Sequence, residues 1–328
     1  MKIFKKRSKM VANGDNIETP TQMLVNRFKS NRLGVIGLIM FISIFLVIIG
    51  VWAYVNFTGY NLAALDFNQK YLPPNFQHWF GTDKYGRDFL VRAFLGGTIS
   101  LQVGFLTTFV AISIGVIIGG IAGYYGGKVD MILMRFGEIV SAIPFLPIAI
   151  TIAVIMAKSP AKTRLFTTMT LLGAIAWTDL ARMVRGQILS LREQEFMVAT
   201  RALGIKSRDQ ILKHLIPNVF AFVIVAATNS FAGAILSEAT LSFLGLSVSE
   251  PVPTWGSLVE SASNMVTMQH YWWLWIFPGL LLLFLIMSVN LIGEGVRDAV
   301  DPKANVKYVE QKKASRFKGL LKNKKVAE

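Results

Sequence analysis

The stretch MVATRALGIKSRDQILKHLIPN, residues 197–218, is polar and basic, yet it lies between two segments apolar enough to span a bilayer. Ser190 and Glu193, just ahead of it, have the S-x-x-E spacing of a capping box. That spacing predicts a helix from about Leu191 to Gly204, where glycine tolerates the positive φ of a helix end. Ser207 and Gln210 repeat the capping spacing and predict a second helix that runs to Pro217. Phe196, Ala199 and Leu203 fall on one face of the first helix, and Ile211, Leu212, Leu215 and Ile216 form a stripe on the second. The segment therefore reads as an ordered hairpin with apolar surface to bury. The second helix suits packing on the chain's own bundle. On the first, Ala199 and Gly204 leave a small-residue notch beside Arg201 and Lys206, which suits docking into a partner's groove.

The flanking composition says where this hairpin sits. The chain has 328 residues, 53% hydrophobic and 16% charged, with mean hydropathy +0.50. A soluble domain carries about 25% charged residues, so the balance is that of a membrane protein. The chain has no cysteine, which removes disulfides, thiolate metal sites and cysteine nucleophiles together. A bilayer span needs roughly 20 apolar residues. Six stretches meet that length, at 33–55, 99–123, 132–157, 166–185, 219–244 and 272–296. The first is too long, and too far from the start, for a cleaved signal peptide. The sixth opens on the aromatic cluster WWLW, a mark of a membrane interface.

With the N-terminus inside, nearly all of the net charge of +15 falls on inside segments, and the outside ones are close to neutral. The loop KSPAKTR (158–164) is the exception. The organisation that follows is a basic cytoplasmic segment at 1–32, a span at 33–55, and an extracytoplasmic loop at 56–98. A five-helix core at 99–297 then carries the polar loop 186–217, and a basic tail occupies 298–328. The tails KIFKKRSK and QKKASRFKGLLKNKK read as retention charges or contacts with anionic membrane lipid. Nucleic-acid binding is not indicated, because the charge flanks spans and no aromatic residues alternate with base-reading side chains.

Several local features carry expectations. Phe89, Leu90, Ala93 and Phe94 line one side of an interfacial helix leading into the second span. Asp130 is placed to cap the third span, which Pro144 and Pro147 should bend. Arg135 with Glu138, and Asp179 with Arg182, are spaced to neutralise each other within one helix. Glu238 lies deeper and alone, with Ser237, Thr240 or a partner subunit as its expected contact. The small residues Ala232, Gly233 and Ala234 allow close approach at a subunit interface or pathway. Glu294, Arg297, Asp298 and Asp301 read as a structural cluster. His78, His214 and His270 are too scattered for a metal site, and no Walker A pattern is present, so ATP hydrolysis by this chain is not expected.

The opening stretch resembles the cytoplasmic "EAA" loop of binding-protein-dependent ABC permeases, E-A-A-x3-G-x9-I-x-L-P. Gly204 and Pro217 stand thirteen positions apart, as that pattern requires, with Val198, Ala199 and Thr200 at its first three places and His214 and Ile216 at I-x-L. The glutamate and second alanine are absent, and docking does not depend on that glutamate. In order along the chain, HWFGTDKYGRD (78–88), GYYGGKVD (123–130), SEATLSFLGLS (237–247), PTWGSL (253–258) and NLIGEGVRDAVDP (290–302) are similar to landmarks of one subfamily. It is the C-type permease subunit of bacterial oligopeptide, dipeptide and nickel importers. The resemblance implies an all-α polytopic membrane protein with six transmembrane helices and the type I ABC importer permease fold. It implies a non-catalytic subunit in the bacterial cytoplasmic membrane, with both termini inside.

It further implies a heterodimer with a homologous permease, two ABC ATPase subunits that carry ATP and Mg2+, an extracytoplasmic solute-binding protein, and a peptide substrate. Phe196, Ala199, Thr200, Arg201, Leu203, Gly204, Ile205 and Lys206 would form the ATPase-docking coupling helix. His214, Pro217 and Asn218 would support that loop. Ala232, Gly233 and Glu238 would face the pathway or the partner. Oligopeptides come first among substrates, with dipeptides and nickel behind. A secondary transporter would need coupled membrane carboxylates and inverted repeats, and a membrane enzyme would need a motif such as HExxH; neither pattern is present.

Overall fold

The computed structural model describes residues 20–61, 64–245 and 252–300; the two basic tails and Asp301 lie outside them. Among the described residues the chain is helical, with only an isolated bridge between Thr82 and Asp88 in place of a sheet. The helices are α1 (Pro20–Ser30), α2 (Arg32–Thr58), α3 (Phe89–Tyr125), α4 (Gly127–Ala142), α5 (Phe145–Ile155), α6 (Ala161–Gly173), α7 (Thr178–Arg192) and α8 (Glu195–Ala202). There follow α9 (Ser207–Phe243), α10 (Trp255–Val259), α11 (Met265–His270) and α12 (Trp273–Val300).

The apolar segments do not map one to one onto helices. Among the described residues, α2, α3, α9 and α12 are long and apolar enough to cross a membrane, and α4 with α5 makes a fifth span if counted as one. That pair is bent by 74°. The bend falls where Pro144 stands just ahead of α5, because proline cannot donate the backbone bond that would continue α4. The expected fourth span is split instead into α6 and α7, joined by a turn at residues 174–177. At about 1.5 Å per residue neither piece alone reaches across a hydrocarbon core of about 30 Å, but in series they follow α3 from Val103, beside Leu165, to Tyr124, beside Arg192. The split follows packing: a Cβ at Gly173 would lie 2.6 Å from the Thr107 carbonyl oxygen, and Ser141 donates to Thr178 Oγ1 at 2.8 Å.

The expected interfacial helix at Phe89–Phe94 is corrected too. These residues are the first turns of the 37-residue α3, and Phe89, Arg92 and Ala93 are buried where α3 meets the head formed by residues 64–88 and 252–272. Asp130 caps nothing; it sits in the first turn of α4 and binds both Arg185 nitrogens across to α7, by Nε and, at 2.5 Å, by Nη2.

Lipid is as apolar as leucine, so packing inside a bilayer depends on close backbone approach rather than on the hydrophobic effect. Gly115, Gly119 and Gly123 form a four-residue repeat along α3 that presses on α7. A Cβ at Gly119 would lie 2.5 Å from the Ala181 carbonyl oxygen. Below that stripe, Leu180, Val184, Ile188, Met197, Leu215, Val219 and Val223 join α7, α8 and α9 in one core. At the other end, Phe89, Phe231, Ile235, Trp255, Trp273 and Leu285 join α3, α9, α10 and α12 in a second core that carries the head. The end of α12 is held by α1 and α2: Asn31 caps α2 and donates to Asp298 at 2.7 Å, and Arg27 donates to the Ala299 carbonyl at 3.2 Å.

The candidate coupling hairpin and the head

The capping box expected at Ser190 does not form. Ser190 lies inside α7, whose buried face continues through Ile188 to Leu191, so packing carries the helix past the local signal. A break at Glu193 and Gln194 follows, and α8 begins at Glu195. Its end is as the sequence implies. Gly204 has φ +68, its N–H bonds the Arg201 carbonyl at 3.0 Å, and the Ile205 N–H bonds the Thr200 carbonyl at 3.2 Å. Those two bonds are a Schellman motif, which satisfies carbonyls that the helix end would otherwise orphan.

The second helix differs from expectation. Lys206, not Ser207, holds its cap position, without a side-chain cap. It does not stop at Pro217, which lies at the second residue of a regular α segment where a missing N–H costs little. The helix runs through a wider π turn at Gln210–Leu215 and on to Phe243. His214 and Asn218 are tied to each other, the Asn218 amide donating to the His214 carbonyl at 2.6 Å. Leu212 is turned away from the buried stripe to which it was assigned, and is 49% exposed.

The two faces of α8 are sharply different. Met197, 1% exposed, and Leu215, fully buried, tie the hairpin to the bundle. Phe196 at 37%, Val198 at 53% and Leu203 at 78% point away from it, with Ala199 and Arg201 also exposed. Thr200 is corrected: it faces inward, its hydroxyl donating to the Met197 carbonyl at 2.8 Å. It belongs to the support of the helix rather than to its outer face. Gly204 and Lys206 are exposed and Ile205 is half-buried.

Polar bonds anchor the hairpin from behind. Arg192 donates to the Gly123 and Tyr124 carbonyls at 3.3 and 3.1 Å, and Arg201 donates to the Arg192 carbonyl at 2.9 Å. The Tyr124 hydroxyl donates to Gln210 Oε1 at 3.0 Å, and Gln210 Nε2 donates to the Ile205 carbonyl at 2.7 Å. Tyr124 and Gln210 escape a reading of the sequence. They are 86 residues apart, and the one local signal for Gln210, its place in a capping spacing, points to a different partner.

The fifth-span segment is also rearranged. Ala232 and Ala234 are buried inside the chain, and Gly233 alone of the three faces outward with open space beside it. Glu238 is completely enclosed. Ser242 Oγ donates to its Oε1 at 2.7 Å and Ser100 Oγ to its Oε2 at 3.3 Å. Ser100 Oγ in turn accepts the Trp255 N–H at 3.2 Å, so the carboxylate ties α3, α9 and α10 together. Ser237 and Thr240, expected beside it, bond carbonyls of their own helix. The placement of Ala232 and Glu238 on a pathway or subunit face is therefore corrected. Arg135 does pair with Glu138, at 2.6 Å, and Arg182 with Asp179.

The head is built on a buried carboxylate. Asp83 Oδ1 accepts the Tyr85 and Arg87 N–H groups at 2.8 and 3.0 Å, and Oδ2 takes Arg87 Nη2 at 2.6 Å with Arg92 Nε at 3.4 Å. Asp88 caps α3, accepting the Val91 N–H at 3.1 Å, and bonds His78 at 2.9 Å. Trp255 donates to the Ala93 carbonyl at 2.7 Å and Trp273 to the Thr82 carbonyl at 3.2 Å. A cavity of ≈ 480 Å³ opens beside this lock, with Tyr71, Lys84, Arg92, Glu260 and Asn264 among its walls. Burial, reinforced by repulsion from the neighbouring Tyr271 phenol when ionised, raises the Tyr71 hydroxyl above the ordinary phenol value, while the Lys84 charge opposes the rise. Phe76 and Trp79 stand fully out of the head, at 101% and 70% exposure. Among the described residues no group of three His, Cys, Asp or Glu is placed to hold a metal ion.

Together these features make a multi-pass helical bundle with an ordered polar hairpin at one end and a locked head at the other. Residues 115–306 match the family described as "Binding-protein-dependent transport system inner membrane component", to which this chain belongs. Residues 19–74 match the N-terminal TM domain of oligopeptide transport permease C. The chain is 42% identical over 281 residues to the oligopeptide transport system permease protein OppC of Haemophilus influenzae, covering 84% of this chain and 86% of that one. It is 36% identical to the protein of the same name from Bacillus subtilis strain 168, over 84% of this chain and 88% of that one. Against the dipeptide transport system permease protein DppC of Bacillus subtilis the identity is 34%, over 88% and 89% of the two chains.

Proposed function

We propose that this chain is the permease subunit of an ATP-driven peptide importer, with oligopeptides as its first substrate class. The observation that carries the reading is the two-sided α8: one face is fixed to the bundle by Met197, while Phe196, Ala199 and Leu203 stand exposed on the other. Exposed apolar residues on a helix anchored from behind support its reading as a docking surface. Two ABC ATPase subunits would bind there and on a homologous second permease, and would hold the ATP and Mg2+. The two permeases would form a heterodimer with the translocation pathway between them. Gly233 and the outward apolar residues of α9, such as Leu236 and Phe243, support that side as the subunit face.

The basic residues flanking the spans support a place in the cytoplasmic membrane of a bacterium with both termini on the cytoplasmic side. The head would then lie outside, with Phe76 and Trp79 offered to a solute-binding protein. The names of the relatives support peptides, and they divide between oligopeptides and dipeptides.

Uptake of labelled tetrapeptide, dipeptide and nickel by cells that lack and then regain this chain tests the reading. Tetrapeptide uptake should vanish and return with the chain. Restoration of nickel uptake alone, or of none of the three, would contradict it.

A further inference from the structure

The hairpin is bound to α3 by a closed loop of hydrogen bonds that begins and ends beside the docking helix. From the Ile205 carbonyl it passes to Gln210 Nε2 at 2.7 Å, and from Gln210 Oε1 to the Tyr124 hydroxyl at 3.0 Å. From the Tyr124 carbonyl it passes to Arg192 at 3.1 Å, and from the Arg192 carbonyl to Arg201 at 2.9 Å. Tyr124 thus contributes its side chain to one arm and its main chain to the other. Gln210 is 3% exposed, and its amide has one workable orientation. A carbonyl can only accept, so the NH2 must face Ile205, which leaves the oxygen for the phenol. Gln210 also opens the π turn, where the bond pattern widens and the helix leading to α9 departs from the hairpin.

We propose that Gln210, with Tyr124, is the positioning residue of energy coupling. It fastens the residue that follows Gly204 to the end of α3, so that a push on α8 moves α3 and α9 together rather than deforming the loop. The inference rests on the reading of α8 as the ATPase dock. Apolar packing at Met197 and Leu215 holds the hairpin in place, but packed side chains can slide. A short buried amide bridge fixes the loop against the helix end in one register. Without the bridge, the ATPases would still dock on the outer face of α8 and still hydrolyse ATP, but less of their closure would reach the spans.

The test uses the complete reconstituted assembly and a labelled peptide that the wild-type assembly imports. Gln210→Leu keeps the bulk and removes both bonds. Tyr124→Phe removes one hydroxyl and nothing else. Each is measured for co-purified ATPase, for ATP hydrolysed, and for peptide moved per ATP. Both variants should retain their ATPases and lose at least about tenfold in peptide moved per ATP. Because the two residues act in one link, the double variant should be no worse than either single one.

An unchanged ratio in Tyr124→Phe overturns the proposal, whether or not total ATPase activity falls with it, since a merely structural role would lower both rates in step. Should Gln210→Leu fail to assemble, Tyr124→Phe decides alone. Ala199→Gln, run beside them, separates the two readings. It adds bulk on the exposed face and should shed the ATPases. If it sheds them while Tyr124→Phe couples normally, the dock stands and the bridge falls. If Ala199→Gln imports normally with its ATPases bound, the dock itself is wrong.

Discussion

The head and the candidate coupling hairpin are both polar segments attached to apolar helices, and they are built in opposite ways. The head hides its charges: Asp83, Arg87 and Arg92 are all less than 10% exposed and held by several bonds each. The hairpin hides little. Its outer residues are apolar and exposed, and its polar bonds lie behind it, at Arg192, Tyr124 and Gln210. A segment whose central carboxylate is paired inside the chain, and whose Tyr71 and Phe80 rings stack on Tyr271 and Phe277, is held from within even though Phe76 and Trp79 stand exposed on it. A segment that leaves Leu203 78% exposed on a capped helix presents a surface that the chain does not itself cover. Damage to the head should therefore appear as lost stability, and damage to the outer hairpin as lost coupling at nearly unchanged stability.

The sharpest break is expected at Gly86. It has φ +77, and a Cβ there would lie 1.8 Å from the Asp66 carbonyl oxygen, so the new methyl and that main-chain carbonyl cannot both keep their places. Gly86→Ala should cost about 4 kcal/mol or more, in the range reserved for broken packing and strained backbone. Thermal melting of the purified chain in detergent, with protease sensitivity of the 64–88 loop, measures it. Asp83→Ala comes next. It strands the Arg87 and Arg92 guanidinium groups beside a site that water barely reaches, at a cost of about 3–5 kcal/mol. The same melt should show it as a large fall, and a shift within error would mean that the head is not the stability-bearing element.

Gly204→Val should have the smallest effect on stability and a large one on transport. Nothing lies within 4 Å of a Cβ at Gly204, so the cost is that of a β-branched residue at φ +68, about 1–2 kcal/mol. Melting should change little while import is lost. A loss of stability as large as that of Gly86→Ala would erase the distinction between the two regions.

Where the sequence was legible, the deciding physics was local. Gly204 ends α8 because only glycine sits easily at that φ, and Pro144 marks the bend because its missing N–H breaks the helix. The contact of Gly115, Gly119 and Gly123 with α7 came from the structure, although the four-residue spacing stands in the sequence. Where the sequence misled, long-range packing overrode a local signal. Ser190 has a good capping spacing, yet α7 runs through it because Ile188 and Leu191 continue a buried face. Arg92 looks like a surface charge until Asp83 is placed beside it. Glu238 looks like a pathway or interface residue until Ser100 and Ser242 close around it. Of the hairpin, the outer face could be read from periodicity, whereas the bridge from Gln210 to Tyr124 could not, because nothing in one chain segment encodes contact with another 86 residues away.

The most direct measurement exploits the absence of cysteine from the sequence, which makes any introduced thiol unique within this chain. Leu203→Cys on the hairpin and Trp79→Cys on the head, both highly exposed, are treated with a short bifunctional thiol–amine reagent in the complete assembly. The hairpin thiol should capture an ATPase subunit and the head thiol should not. Capture of the ATPase from position 79, or none from position 203 while the ATPases still co-purify, would contradict the assignment of α8 as the joint.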